Sequence, residues 1–209
     1  MTLIELIDLL KNAVVVEEID EHRNEVVELI PSVRRMFNYD QKNHAHQYDL
    51  WLHCLHTVLG IKRDCEDDML YIAALLHDIG KPYCQCPGKK DDDMDMHYYG
   101  HPERSYEIVK EEVIPVLLLK GEDISEDEQR RLLYYVKYHD DRVSLRLKHL
   151  RRHLKIPVSL QEFQNLMILQ VADAMAHVML PAIVQRVEIC QQLSGEYGKE
   201  LFQRIQDGE

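Results

Sequence analysis

The chain has 209 residues, 45% hydrophobic and 30% charged, which is enough apolar material for one sizeable core. Its net charge of −12, from 37 acidic against 25 basic residues, argues against a broad grip on long duplex nucleic acid, which draws on many Lys/Arg–phosphate contacts. The five cysteines (Cys54, Cys65, Cys84, Cys86, Cys190) are odd in number and include no C-x-x-C pair, a pattern that fits a reducing cytosol rather than a disulfide framework or a structural zinc site.

In chain order the pattern is almost wholly helical. Thr2 and Glu5 form a capping box that opens a first short helix. The acids in this segment and its lack of a basic leader speak against a secretory signal. No run of about 18 apolar residues marks a membrane span, so a cytoplasmic protein without membrane contact is expected. A second helix is predicted from Ile19 to Ile30, closed by Pro31. "YDLWLHCLHTVLG" carries Leu52, Leu55 and Leu59 at helical spacing and ends at Gly60, and "DDMLYIAALLHDIG" is apolar almost all round, the mark of a central buried helix.

Lys81 to Gly100 breaks the pattern with glycines, prolines and the acidic run Asp91 to Asp95, and reads as a long loop. That run reads as a solvated loop tip rather than an ion site. A helix then starts near "HPERSYEIVKEEV", with Pro102 suited to a first turn. Two more capping boxes, Ser125 with Glu128 and Ser159 with Glu162, start the helices that carry "LLYYVKYHDD" and "LMILQVADAMAH". "LSGEYGKELFQRIQDGE" reads as a last helix. The expected organisation is an N-terminal helical extension over 1–42, a main domain over 43–190 and a C-terminal helix or tail over 191–209, all-α throughout.

Chemistry enters at "AALLHDIGKP", Ala73 to Pro82, where a buried helix finishes on His77 and Asp78. An ionised carboxylate in apolar surroundings costs several kcal/mol unless it is paired or holds a metal. Backbone groups at the helix end could satisfy this pair, and Lys81 is the nearest cation. The same oddity recurs at Asp173, set in an apolar helix with no Arg or Lys within a turn. A distant salt bridge or His177 four residues on would satisfy it. His53, from "DLWLHCLHTV", reads singly as a core histidine. Taken together, three segments that each bring a metal-type side chain into an apolar stretch point to a shared metal cation. Imidazole and carboxylate donors suit Fe, Mn, Co, Ni or Zn, with Mg possible.

These residues resemble the H…HD…D signature of the HD-domain phosphohydrolase superfamily, and "HDIGKP" resembles its HDIG subgroup. "HAHQYDLWLHCLHTV", "AALLHDIGKP", "HYYGHPERS" and "VKYHDD" are similar to the HD domains of bacterial tRNA nucleotidyltransferases and their stand-alone relatives, over roughly Asn43 to His177. No Gly-Ser loop with paired aspartates on strands precedes them, so polymerising activity is not expected. The resemblance implies an HD-domain helical bundle around a metal site, with flanking N- and C-terminal helices. It also implies a second metal held by His101 and His139, with Asp78 bridging.

It further implies a metal-dependent phosphohydrolase acting on a phosphomonoester or phosphodiester, with a small phosphorylated substrate such as a nucleotide or RNA end. The metal ligands expected are His53, His77, Asp78, His101, His139 and Asp173; the catalytic residues are Asp78, Lys81 and His101. Lys81, Arg104 and Arg142 are the candidate phosphate contacts. His46 either faces substrate or caps the helix. Asp49 is a candidate to orient nearby imidazoles, while Cys54, His56, Tyr98 and Tyr99 read as packing residues. A di-iron oxygenase of the same fold and a non-catalytic regulatory module are the alternatives.

Overall fold

The computed structural model describes residues 1–61, 65–89, 94–154 and 156–207, and at 147–149 and 154 it describes the backbone alone. Helix α1 (Leu3–Asn12) opens on the expected capping box: the Glu5 N–H donates to Thr2 Oγ1 at 3.2 Å, and the Thr2 N–H to Glu5 Oε2 at 2.7 Å. The single helix expected from Ile19 to Ile30 is instead two, α2 (Val16–Asp20) and α3 (Arg23–Leu29). At the break Asp20 accepts the indole N–H of Trp51 at 2.7 Å, a bond across 31 residues that no local pattern encodes. Pro31 then ends the helical run and opens a 3₁₀ segment, Pro31–Met36.

Helix α4 (Leu50–Gly60) is capped by Asp49, and α5 (Asp68–Leu76) by Asp67. Every residue from Met69 to Leu76 is buried, because α1, α4, α8 (Glu126–Tyr138) and α10 (Leu160–Met175) all pack on α5. Each fully buried Leu or Ile there contributes roughly 1.5–3 kcal/mol. The apolar-all-round pattern thus has its cause in a helix with no solvent face. Both predicted capping boxes, Ser125 with Glu128 and Ser159 with Glu162, are formed at the starts of α8 and α10.

The segment after α5 begins with a 3₁₀ turn, Lys81–Tyr83. It also holds one antiparallel strand pair, β1 (Cys86–Pro87) and β2 (Met96–His97), in register Cys86↔His97. Of the acidic run in this loop, Asp91, Asp92 and Asp93 lie outside the described residues. Asp95 accepts the His44 backbone N–H at 3.0 Å. Gly100, at φ +79°, turns the chain into α6 (His101–Ile108), whose first turn holds Pro102. A π-helical turn, Val109–Val113, joins α6 to α7 (Ile114–Leu119). Pro115 has no N–H to donate and its ring crowds the preceding turn, and the wider turn absorbs this.

The chain finishes with α9 (Leu147–Leu154), α11 (Pro181–Leu193) and α12 (Glu196–Gln206). One cluster of buried apolar side chains runs from Leu3 through α4, α5, α8 and α10 to Leu201 and Phe202. Apart from the β1–β2 pair and a single bridge, His46 to His177, the described residues are helices and their connections. None of the described helices is long and apolar enough to cross a membrane.

Two close approaches set the positions that matter for the site. A Cβ on Gly60 would lie 2.8 Å from Ala172 Cβ, so α4 and α10 touch beside Asp173. A Cβ on Gly80 would lie 2.5 Å from the Ser105 N and 2.7 Å from the His101 O, so the turn after α5 lies against the backbone of α6.

Candidate metal centre

The six predicted ligands come from five helices or their ends. His53 sits in mid-α4, His77 caps α5 with Asp78 next to it, His101 opens α6, His139 caps α8, and Asp173 lies near the end of α10. All six are buried. Helix ends account for this economically: a ring at a C-terminus can reach a carbonyl one turn back that has no partner inside the helix.

Three of the four rings are held in one way. His77 Nδ1–H donates to the Ala74 carbonyl at 2.9 Å, His101 Nδ1–H to that of Tyr98 at 2.8 Å, and His139 Nδ1–H to that of Val136 at 2.7 Å. A carbonyl only accepts, so Nδ1 carries a proton and Nε2 is the nitrogen left for a metal or, at His77, for a second proton. All three Nε2 atoms point at Asp78. His77 Nε2 is 3.2 Å from Oδ2, while His101 and His139 Nε2 are 3.2 and 3.3 Å from Oδ1. His53 Nε2 lies 3.1 Å from Asp173 Oδ1 and 3.5 Å from Asp78 Oδ2. The two carboxylate oxygens of Asp78 therefore serve different groups: one with His53, His77 and Asp173, the other with His101 and His139.

Acceptors crowd each group. The Nε2 atoms of His101 and His139 stand 3.2 Å apart. His77 Nε2 and Asp78 Oδ1 are buried with no hydrogen-bond partner. Facing lone pairs at this distance repel unless positive charge lies among them, either a proton or a metal cation. Buried imidazole and carboxylate donors with the tautomer fixed from behind are the donor set that first-row divalent ions take, so the residues present fit such ions.

The ionisation of the cluster follows from the same geometry. Burial works against a charged Asp78, but the Lys81 ammonium and the His77 ring outweigh it and hold the carboxyl well below its usual range. Burial likewise opposes Asp173, which His177, His53 and His77 hold well below that range. His77 is pushed well above an ordinary imidazole: burial, the largest single influence, lowers it, but Asp78, Cys54 and Asp173 together outweigh burial. His139 is lowered, chiefly by burial.

A cavity of about 350 Å³ opens onto Asp78, His101, His139 and Asp173. His46, Lys81 and Arg142 line it, as does the rim residue Tyr99, which is exposed where packing was expected. A larger cavity, about 610 Å³ around Asp67 and Arg131, shares no residue with it. Lys81 is turned inward, with Nζ 2.6 Å from Asp78 Oδ2 and donating to Gln41 Oε1 at 2.9 Å. Arg104 is not brought to the cavity. It pairs with Glu107 at 2.9 Å and lies over the Tyr83 ring.

Asp49 does not reach an imidazole either, since its carboxylate accepts the Leu52 N–H at 2.8 Å as the cap of α4. That cap leaves His46 free of a capping role, and it packs against His177, with ring centroids 4.5 Å apart. His56 stacks on Tyr48, as a packing residue would.

Three residues at the site escaped the sequence reading of function: Gln41, His177 and Arg186. His177 had a local signal, four residues after Asp173, and donates from Nδ1 to the Asp173 carbonyl at 2.8 Å. Together with His46 and His53 it forms a further cluster of potential ligand atoms. Gln41 and Arg186 reach the site only through tertiary contacts.

In comparison with known families, residues 44–177 match the HD domain, a span that contains all six candidate ligands and His46. The match is to the HD domain as a whole and does not single out the nucleotidyltransferase type. No curated protein and no solved structure matches the chain. The helical architecture, the two groups of buried His and Asp, and a match over more than half its length agree: the chain belongs to the HD domain family, within the superfamily of metal-dependent hydrolases.

Proposed function

We propose that this protein is a phosphohydrolase that cleaves a phosphomonoester or phosphodiester with the help of one or two divalent transition-metal ions. The observation that carries the reading is the shared Asp78, whose two oxygens face two separate sets of inward-pointing imidazole nitrogens. His53, His77, Asp78 and Asp173 would hold one ion, and Asp78, His101 and His139 the other. When bound, such ions supply Lewis acidity that lowers the pKa of a water toward about 7 and offsets charge on a phosphoryl group.

The chain's own residues do the rest. Lys81 keeps Asp78 ionised and in place, and as part of the cavity wall its ammonium is the nearest positive charge to an entering phosphate. Arg142, on the same wall, offers a guanidinium for the phosphate's outer oxygens. His46 lines the mouth, where burial and the nearby Lys81 hold its ring neutral, at about 2. Neutral imidazoles there can hydrogen-bond a substrate without repelling the cations. His101 borders the cavity directly and helps to set the place of the attacking water. The likeness of "HAHQYDLWLHCLHTV" and "HYYGHPERS" to nucleotidyltransferase HD domains supports a nucleotide or an RNA-terminal phosphate as the substrate class.

The test is metal analysis of the purified protein with a panel of aryl phosphates, cyclic nucleotides and 2′,3′-cyclic-phosphate RNA ends, in Mn, Co, Ni or Mg. Metal-dependent turnover of at least one class is expected. A folded, metal-loaded protein that turns over none of them overturns the reading, and iron with O₂ uptake would select oxygenase chemistry instead.

A further inference from the structure

Helix α11 lies beyond the residues that match the HD domain, yet it sends one side chain into the metal centre. Arg186 is only 24% exposed, and its guanidinium makes three contacts there. Nη1 donates to Asp140 Oδ1 at 2.9 Å, Nη2 donates to the His139 carbonyl at 2.8 Å, and Nη2 lies 3.6 Å from Asp173 Oδ2. Asp173 belongs to the first ligand group and His139 to the second. One rigid fork thus touches a member of each.

The consequence is geometric. With Oδ2 of Asp173 facing the guanidinium, Oδ1 is the oxygen left to face His53 and His77, at 3.1 and 3.6 Å. At the other contact, the His139 carbonyl and Asp140 are the end of α8, so the fork fixes where the His139 ring begins. Its Nδ1 bond to Val136 then sets the ring's direction. α10 packs on α11, so Arg186 enters from a helix that is itself anchored. A planar guanidinium can meet a carbonyl, a carboxylate and a second carboxylate together, which a lysine ammonium on a flexible stem does with less fixed geometry.

The geometry points to Arg186 as a positioning residue that holds the two ligand groups in register, so that the second ion, the one at Asp78, His101 and His139, depends on α11. This rests on the two-ion reading above. Helix α11, beyond the span that matches the HD domain, is then part of the metal centre.

Metal titration of the full-length, metal-stripped protein with Mn or Co tests this, read by calorimetry and by the Co absorption spectrum rather than by activity. Wild type is expected to take two ions. Arg186→Met is expected to keep the first within a few-fold and to weaken the second by roughly 10–100-fold, the usual effect of losing a partner behind a ligand. Arg186→Lys is expected to fall between them. If Arg186→Met does not fold, Arg186→Lys and Asp140→Asn carry the comparison, each expected to weaken the second ion selectively.

Two ions bound by every folded variant with wild-type affinities overturn the positioning role and leave the hydrolase reading standing. Equal weakening of both ions overturns the registration of the second group. A wild-type protein that takes only one ion also ends the inference, and one that takes none ends both.

Discussion

His53 and Asp173 are 120 positions apart in the chain, yet His53 Nε2 lies 3.1 Å from Asp173 Oδ1 inside the core. Their meeting depends on α4 and α10 touching, which the bare backbone of Gly60 against Ala172 allows. The first ligand group is thus assembled by helix packing, and its chemistry follows from that packing.

Asp78 is the one residue both groups share, so its loss should be felt in both. Asp78→Asn is expected to reduce metal-dependent turnover by more than the roughly 10–100-fold that follows loss of an outer partner. It also leaves His77 and Lys81 buried without their counter-charge, and breaking a buried pair from one side costs about 3–5 kcal/mol. Urea denaturation of the metal-free variant and plasma emission analysis for metal check both effects. Undiminished metal content in this variant would remove Asp78 from the centre.

The high affinity of His77 for a proton makes metal binding a proton exchange. Asp78, Cys54 and Asp173 together outweigh burial and favour the protonated ring in the metal-free protein, whereas a ligand imidazole must be neutral. Calorimetry at pH 7 in buffers of different ionisation heat is expected to show release of about one proton per first ion bound. Affinity should rise from pH 6 to pH 8. Binding with no buffer dependence would mean that His77 is not displaced from its proton.

The depressed carboxylates give the metal-free protein an acid limit. Asp78 and Asp173 titrate well below 3.8 when folded, so the stability they contribute is present above that value and is lost as pH falls toward their folded values. His77 acts in the opposite sense. Raised above 6.5, it contributes fully below that pH and loses its contribution as pH rises through its folded value. His46, His177 and His139, all lowered by burial, favour the folded state only while neutral and lose that contribution as pH falls below 6.5. Metal-stripped protein should therefore be most stable near pH 6.5 and weaken steadily toward acid. Melting temperatures across pH 3 to 9 test this, and a flat profile would contradict both assignments.

Gly80 is a backbone contact point rather than a flexible hinge. A Cβ there would stand 2.5 Å from the Ser105 N and 2.9 Å from the Arg104 C, atoms of α6 that cannot rotate away. Its own N–H donates to Ser105 Oγ at 2.9 Å. Gly80→Ala is expected to cost about 1–3 kcal/mol, as overpacking does, and to weaken metal binding by pushing His101 away from Asp78. Thermal melts and a metal titration read the two effects. Wild-type values in both would show that α6 is not seated by this contact.

Much of the site was legible before any coordinates, because burial made it conspicuous. His77 and Asp78 at the end of an apolar helix, and Asp173 within one, violate the hydrophobic pattern around them. The capping boxes at Thr2, Ser125 and Ser159 were also readable, since each lies within four consecutive residues. The interruption of α2 and α3 was not, because it accompanies a bond between Asp20 and Trp51 that local spacing does not reveal.

The basic residues were the least legible. Lys81 and Arg104 sit close to the motif in sequence, but one turns inward to Asp78 and the other outward to Glu107. Arg186, far from any motif, reaches the centre. Long cationic side chains can point several ways from one backbone position, so proximity along the chain says little about them.

The sequence by itself determined that this is a helical protein and which imidazoles and carboxylates are out of place among apolar neighbours. Those are consequences of periodicity and of the cost of burying charge, both written residue by residue. Only the tertiary structure decided that Asp78 faces two ways, that Lys81 is its counter-charge and that α11 reaches in with Arg186. Those depend on distances between segments far apart in the chain, and such distances are set by the packing of whole helices.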